Sequence, residues 1–405
     1  MAKRIVIGLI LFLVGIGIIW AVDYLAIFDF GLSTRLSGSN NSSNIPKNTF
    51  TTPSAETSST ESVPYTVEVV AENLDVPWSI VFAGINRMLV SQRPGTIVEV
   101  INGTVTAQPL ISFSETATGG EIGLMGMTKD PDYESNNLLY ACVGYKTSDG
   151  FADKVIQLRD QGSSIEAVTT VIDGIPAGSN HARCELAFGP DGKLYISTGD
   201  ATERNIAQDL NSLGGKILRI NSDGSFPEDN PFENSAIYSY GHRNPQGLDW
   251  TTDGRLYEAE HGPSGNDGPG GGDEINLISA GENFGWPLVS HQETREGTVA
   301  PLITYTPAEA PSSLLVYKGD VFPQFKDTVL FAALRGNGVF WVQFDAKDPS
   351  KVISSEQIEA ISVGRVREIT EGPDGLIYFT SSNTDGRGRP SSTDDTIYRL
   401  APADK

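Results

Sequence analysis

Leu186-Ala-Phe-Gly-Pro-Asp-Gly-Lys-Leu-Tyr-Ile-Ser-Thr-Gly199 reads as a β-hairpin. Two short runs of strand-forming residues flank Gly189-Pro190-Asp191-Gly192, whose residue types favour a tight reversal. The same theme recurs at Ser79 to Gln92, Leu124 to Tyr145, Leu248 to Glu260, Val316 to Leu334 and Ile369 to Ser381. Each is an apolar strand, a turn rich in Asp, Gly or Asn, and a second strand with an aromatic residue near its middle. Gly372-Pro373-Asp374-Gly375 repeats the turn, and Thr252-Asp253-Gly254 is a shorter version of it. Six such units at intervals of about 50 to 75 residues, each followed by further β-prone runs, predict an all-β six-bladed propeller of four-stranded antiparallel blades. A β-sandwich or a pair of small barrels does not accommodate spacing this long and regular. The propeller is expected over residues 64–403, and loops between its blades would converge on one end of the axis.

The remaining sequence is of a different kind. Ile5 to Val22 are 18 consecutive apolar or glycine residues behind Lys3 and Arg4, long enough as a helix to reach roughly 27 Å. With no clean small-x-small cleavage site after it, this stretch favours a retained anchor, giving a signal-anchor or transmembrane segment at residues 1–32. Lys3 and Arg4 would stay in the cytoplasm. The rest would then be extracytoplasmic and anchored to the membrane, or secreted if the segment is cleaved. From Ser33 to Ser62 half of the residues are Ser or Thr, too few of them apolar to offset the entropy of ordering. Residues 33–63 are therefore expected to be a flexible linker, with Asn40 or Asn41 as candidate glycosylation sites.

The 405 residues carry a net charge of −22, which excludes nucleic acid as a partner, since phosphate binding needs clustered cations. The two cysteines, Cys142 and Cys184, lack metal-type spacing. In an exported protein they form a disulfide or are two buried thiols, and spacing leaves both open.

His181 precedes Asp200 by 19 positions, and the intervening hairpin returns both to one rim of the propeller. A carboxylate beside an imidazole fixes its tautomer, which suits a base acting near neutral pH. The same pairing also describes a capped structural histidine.

Asn180-His-Ala-Arg-Cys184, Gly241-His-Arg-Asn-Pro-Gln-Gly-Leu248, His261-Gly-Pro263 and Asp273-Glu-Ile-Asn276 follow in order. Together they resemble the active-site segments of the soluble quinoprotein sugar dehydrogenases, the glucose/sorbosone and aldose sugar dehydrogenases. The resemblance runs from about Val67 to Leu400 and implies oxidation of aldoses at C1 to lactones with pyrroloquinoline quinone (PQQ) and calcium, followed by electron transfer to an external acceptor, a quinone or a redox protein.

Carried over by position, it makes His181 the general base for the anomeric hydroxyl, Asp200 its support and Arg243 the cation at the reacting quinone oxygen. Asn244 is the neighbouring donor. Arg365 and Arg367 would hold cofactor carboxylates, since alternate residues on a strand face one way; without the resemblance they read as a surface pair. Arg335 stands where a lysine meets a cofactor carboxylate, a swap that keeps charge but not geometry. Gly262 and Pro263 would offer backbone carbonyls to the catalytic calcium, with His261 in place of a glutamine beside them. Asp273 and Glu274 match acidic residues of the calcium region, Glu274 fitting a second ion with the carbonyl of Phe284. On the substrate side Glu121 replaces a glutamine, and Tyr305 is expected to take the place of an absent tryptophan. These departures bear on sugar preference more than on the reaction and favour the aldose sugar dehydrogenase branch.

Two other functions fit a propeller. One is a non-catalytic cell-surface module binding a glycan or protein, which has no need of the His181, Asp200, Arg243, Asn244, Arg365 and Arg367 set. The other is a calcium-dependent lactonase-like hydrolase, which needs carboxylate and amide side chains around an axial ion where the candidates here are chiefly carbonyls. Gly265 to Gly272 looks like a phosphate loop, but no helix pattern follows it.

Overall fold

Val63 and Gln324 clasp each other at the edge of the fold: the Gln324 amide donates to the Val63 carbonyl at 2.9 Å and accepts its N–H at 3.2 Å. The computed structural model describes residues 62–403. Residues 1–32, expected to form a transmembrane segment, and all of the expected linker except residues 62–63 lie outside them. No helix among the described residues is long and apolar enough to cross a membrane.

Six antiparallel sheets make up the domain. Their inner strands are Pro77–Gly84, Leu124–Lys129, Cys184–Phe188, Pro245–Trp250, Pro311–Val316 and Val366–Glu371, for blades 1 to 6 in turn. Each inner strand touches the next, and the sixth touches the first, so the ring is closed. Blades 2 to 6 have four strands each. In blade 1 the outermost place is shared by two short strands, Thr104–Val105 and Ile111–Ser112, which both pair with Thr96–Ile101. Blade 6 takes its outer strand, Tyr65–Ala71, from the start of the domain, and pairing with Ile397–Pro402 closes the ring without leaving a free edge between the ends.

The repeated hairpins lie where the turn chemistry places them, with one difference. In blade 5 the inner strand is Pro311–Val316, so the unit read from Val316 caught only its last residue. Pro311, Ser312 and Ser313 carry no apolar strand pattern, yet they are buried because the ring packs around them. Alternating strand residues fill the seams between blades. Between blades 2 and 3, for example, Met125, Tyr140, Leu186, Ile196 and Leu218 are all buried, and burial contributes roughly 1.5–3 kcal/mol for each large aliphatic side chain. Cys142 and Cys184 are joined as a disulfide that ties the second strand of blade 2 to the inner strand of blade 3.

Candidate active site

All six inner strands start at the same end of the axis, and second strands end there, since each hairpin is antiparallel. The residues singled out by the sequence cluster at that rim: Glu121 before the inner strand of blade 2, His181 before that of blade 3, Arg243 and Asn244 before that of blade 4, and Arg365 before that of blade 6. Asp200 follows the second strand of blade 3, and His261 to Pro263 follow that of blade 4.

His181 and Asp200 meet directly. Asp200 Oδ1 lies 2.6 Å from His181 Nδ1, which therefore carries the proton, and Oδ2 accepts the indole N–H of Trp286 at 2.8 Å. Asp200 is fully buried, and its own N–H donates to the Arg243 carbonyl at 2.8 Å. The backbone N–H of His181 donates to Glu121 Oε2 at 2.8 Å. His181, Ala201 and Thr202 all have left-handed backbones, with φ of 54°, 53° and 69°, a conformation that costs non-glycine residues of order 1–3 kcal/mol and persists where surroundings impose it. Gly199 makes this approach possible, because a Cβ there would lie 2.0 Å from the His181 carbonyl oxygen.

Arg243 is buried and almost fully engaged. Nε and Nη2 both donate to Asp267 Oδ2, at 2.8 and 2.7 Å, Nη1 donates to the His261 carbonyl at 3.1 Å, and the guanidinium lies 5.5 Å from the Trp286 ring centre. His181, Arg243, His261 and Glu121 line one cavity of about 520 Å³. It adjoins a second of about 270 Å³, which shares Glu121, His261 and Arg387 and is lined by Arg365, Arg367 and Trp78. Arg365 forks onto Asp385 Oδ2 through Nε and Nη2, at 2.8 and 2.7 Å. Burial pushes the Asp385 carboxyl up, but the bonds and charge of Arg365 outweigh it and hold it below its ordinary range. Arg367 stacks over Trp78 at 4.1 Å, and burial, followed by the charge of Arg183, pushes it down to about 9. The Asn244 amide is wholly buried with neither of its atoms bonded. Orphaned groups of this sort are costly unless something absent from the protein supplies the partner.

Gly262, Pro263, Glu274 and Phe284 line a third space of about 10 Å³ with Arg243, Glu260 and Trp286, room for about one water-sized sphere. Asp273 does not join them as a free ligand. Its oxygens accept the N–H groups of Gly262 at 2.8 Å and Ala310 at 2.6 Å, so it pins the Gly262 backbone. Glu258, Glu260 and Glu274 are buried on one face of blade 4, and among the described residues none pairs with a lysine or arginine. Burial and then the charge of Glu260 raise both Glu258 and Glu274 well above the usual carboxylate range. His261 donates its Nε2 hydrogen to the Pro311 carbonyl at 2.6 Å, and burial followed by the nearby Arg243 charge holds its ring well below the usual histidine range.

Two residues are placed differently from expectation. Tyr305 is not part of any site cavity: it packs on Phe331 and Phe340 of blade 5, and its hydroxyl meets Ser355 at 2.8 Å. It sits on the outer strand of blade 4, remote from the axis. Arg335 is exposed and lines a neighbouring cavity, joined to the central one through Leu334, Arg365 and Arg387. The residues missed are Trp78, Trp286, Asp267 and Asp385. Alternation of Glu258 with Glu260, and of Glu274 with Asn276, was the one sequence signal for the buried acidic face.

The sequence profile of the glucose/sorbosone dehydrogenase family matches residues 74–397. The chain is 31% identical over 347 residues to the aldose sugar dehydrogenase YliI of Escherichia coli, covering 79% of this chain and 91% of that protein. It is 26% identical over 420 residues to quinoprotein glucose dehydrogenase B of Acinetobacter calcoaceticus, covering 79% and 85%. The PQQ-bound aldose sugar dehydrogenase of Streptomyces coelicolor superposes with a TM-score of 0.73 at 32% identity, over 84% of this chain and 98% of that one. Fold, rim geometry and these likenesses agree, and the chain belongs to the glucose/sorbosone dehydrogenase family of oxidoreductases.

Proposed function

We propose that the protein oxidises aldose sugars at C1 to lactones, with PQQ as resident oxidant and calcium beside it. The observation that carries this reading is the His181–Asp200 pair, which shares one cavity with Arg243 and adjoins the cavity of Arg365 and Arg367. The residues present fit PQQ: two arginines suit its carboxylates, and Asn244 has an unspent amide. On this reading the carbonyls of Gly262 and Pro263 would hold the catalytic calcium and Glu274 with the Phe284 carbonyl a second ion, and all four residues line one small space.

When bound, PQQ would supply the two-electron acceptor for hydride from C1. The protein's part is to hold and move a proton. With Nδ1 of His181 protonated toward Asp200, Nε2 is the free base to receive the proton of the anomeric hydroxyl. Asp200, held between His181 and the Trp286 indole, stabilises the imidazolium that forms. Arg243 holds a positive charge fixed beside the cavity, oriented by Asp267.

An extracytoplasmic location fits the Cys142–Cys184 disulfide, which persists in oxidising compartments. With the apolar segment at Ile5 to Val22 the reading is a membrane-attached enzyme that hands electrons to an external quinone or redox protein.

The test is reconstitution. The domain from Val63 onward, purified without cofactor, is titrated with PQQ in calcium buffer by calorimetry and assayed by dye reduction with a panel of aldoses, beside His181→Ala. Binding with turnover that the variant loses supports the reading. No PQQ binding and no turnover with any aldose sinks it.

A further inference from the structure

We infer that the sugar site selects aldoses bearing an anionic group, a carboxylate or a phosphate, at the end of the ring away from the anomeric carbon. This rests on the quinoprotein reading above and deepens it.

The chain carries a net charge of −22, yet its two adjoining rim cavities are lined by seven arginines against three carboxylates. Most of these arginines are already committed. Arg243 is forked onto Asp267, Arg365 onto Asp385 with Arg367 beside it, and Arg183 is bonded to Glu185. The Arg365 and Arg367 cavity has charge enough for the carboxylates of a planar cofactor.

Among the described residues Arg204 is free of any such pair, and Arg387 is paired only through a long contact to Glu121. Both line the His181 cavity, and Arg204 does not line the Arg365 and Arg367 cavity. Arg204 spends only Nη1, on the backbone carbonyl of Asp267 at 2.9 Å, and has no carboxylate partner among the described residues. Arg387 donates Nη2 to Asn180 Oδ1 at 2.8 Å, and its Nη1 lies 3.5 Å from Glu121, with the side chain 59% exposed. The two carboxylates that face this cavity are already claimed: Glu121 by the His181 N–H and Arg387, Asp267 by Arg243 and the Ser264 N–H. With Arg243 on Asp267 and Arg387 on Glu121, the charge left over is that of Arg204.

The cavity, at about 520 Å³, exceeds one pyranose ring, and Asn180, Thr202 and Asn266 give it polar walls for hydroxyls. A sugar with C1 at His181 would turn its far end toward this surplus of guanidinium. Planar guanidinium forks suit carboxylate and phosphate oxygens, and pairs at the mouth of a cleft steer charged ligands at low salt. The chemistry is the same for either group: C1 loses a hydride and O1 a proton, and a lactone forms with the anionic group untouched.

The reconstituted holoenzyme is assayed with glucose, glucuronate and glucose 6-phosphate at low and high ionic strength. At low salt an anionic aldose should exceed glucose in kcat/KM by about tenfold, the size expected of one well-placed charge-assisted pair. The advantage should shrink at high salt, where screening reaches within about 10 Å. Arg204→Gln and Arg387→Gln should each lower the anionic-to-neutral ratio, chiefly through KM, and Arg204→Lys should restore part of it. Binding of glucuronate to the PQQ-loaded His181→Ala protein, followed by calorimetry, should weaken in step. A preference confined to glucuronate or to glucose 6-phosphate identifies which group the arginines read. Glucose oxidised as well as both anions, or a ratio unmoved by Arg204→Gln, overturns the inference and leaves the quinoprotein reading standing. A protein that binds no PQQ and oxidises none of the three overturns both.

Discussion

His181 Nδ1 and Asp200 Oδ1 lie 2.6 Å apart, and the other oxygen of Asp200 is held by the Trp286 indole 86 residues away. The pair is thus oriented from two blades at once. Asp200→Asn keeps the shape but presents an amide to the imidazole, which favours the wrong tautomer. It should lower kcat on the order of a hundredfold or more while leaving PQQ affinity near normal. Trp286→Phe keeps an aromatic ring against Arg243 but loses the N–H and part of the indole volume, and with Asp200 itself intact its cost should be smaller, about tenfold. Steady-state kinetics and PQQ titration on the same samples separate these effects. Loss of cofactor binding in Asp200→Asn would assign Asp200 to building the pocket instead.

The Arg365 fork onto Asp385 leads to a second expectation. A lysine at 365 keeps the charge but cannot bring two N–H groups onto Asp385 Oδ2 and still reach the Leu334 carbonyl. Arg365→Lys should weaken PQQ by about tenfold with little change in kcat at saturating cofactor. Fluorescence titration reports the affinity directly, and an unchanged value would show that Arg365 is structural.

What the sequence made legible follows from what is local in it. The hairpins were visible because Gly-Pro-Asp-Gly turns announce themselves, and His181 with Asp200 because one hairpin joins them. The inner strand of blade 5 was hidden because Pro311-Ser-Ser has no strand pattern of its own and is buried by its neighbours. Trp286 and Asp267 were hidden for another reason: each acts through a contact across loops that sequence spacing does not reveal. Tyr305 was misjudged because position along the chain does not say how far from the axis a strand lies. Pairing with Asp273 puts it on the outer edge of its blade, against blade 5.

If calcium binds as proposed, three buried carboxylates on blade 4 without an arginine or lysine partner among the described residues should make the fold sensitive to metal removal. Glu258 and Glu274 are both pushed up by burial and by Glu260, and a bound cation would relieve that repulsion. A ligand that binds only the folded state raises stability by about 2.7 kcal/mol when present at a hundred times its Kd. Chelation with EGTA should therefore lower the melting temperature, calcium should restore it, and Glu274→Gln should blunt the response. A melting temperature indifferent to EGTA would remove calcium from this place.

The disulfide between Cys142 and Cys184 closes a loop of 42 residues. The loop-entropy relation gives about 4 kcal/mol for a loop of that size. Replacing both cysteines by alanine should cost most of that in denaturant unfolding. A change below about 1 kcal/mol would mean that packing between blades 2 and 3 already holds the strands in register.

Asp153 sits beside that disulfide, wholly buried, with Oδ1 unbonded. Burial raises its carboxyl well above the ordinary value. The folded protein therefore keeps a proton that the unfolded chain releases above about pH 4. Stability from this group is fully present below that pH and is lost as pH rises through the raised folded value, because the unfolded state then binds fewer protons than the folded one. Asp153→Asn removes the titration and keeps the size. The variant should melt at an equal or higher temperature than the parent at pH 8, by about 2 °C, and the difference should close toward pH 4. Calorimetric scans across that range decide it: a parent more stable than the variant at pH 8 would mean that the carboxylate is ionised there and held by a partner.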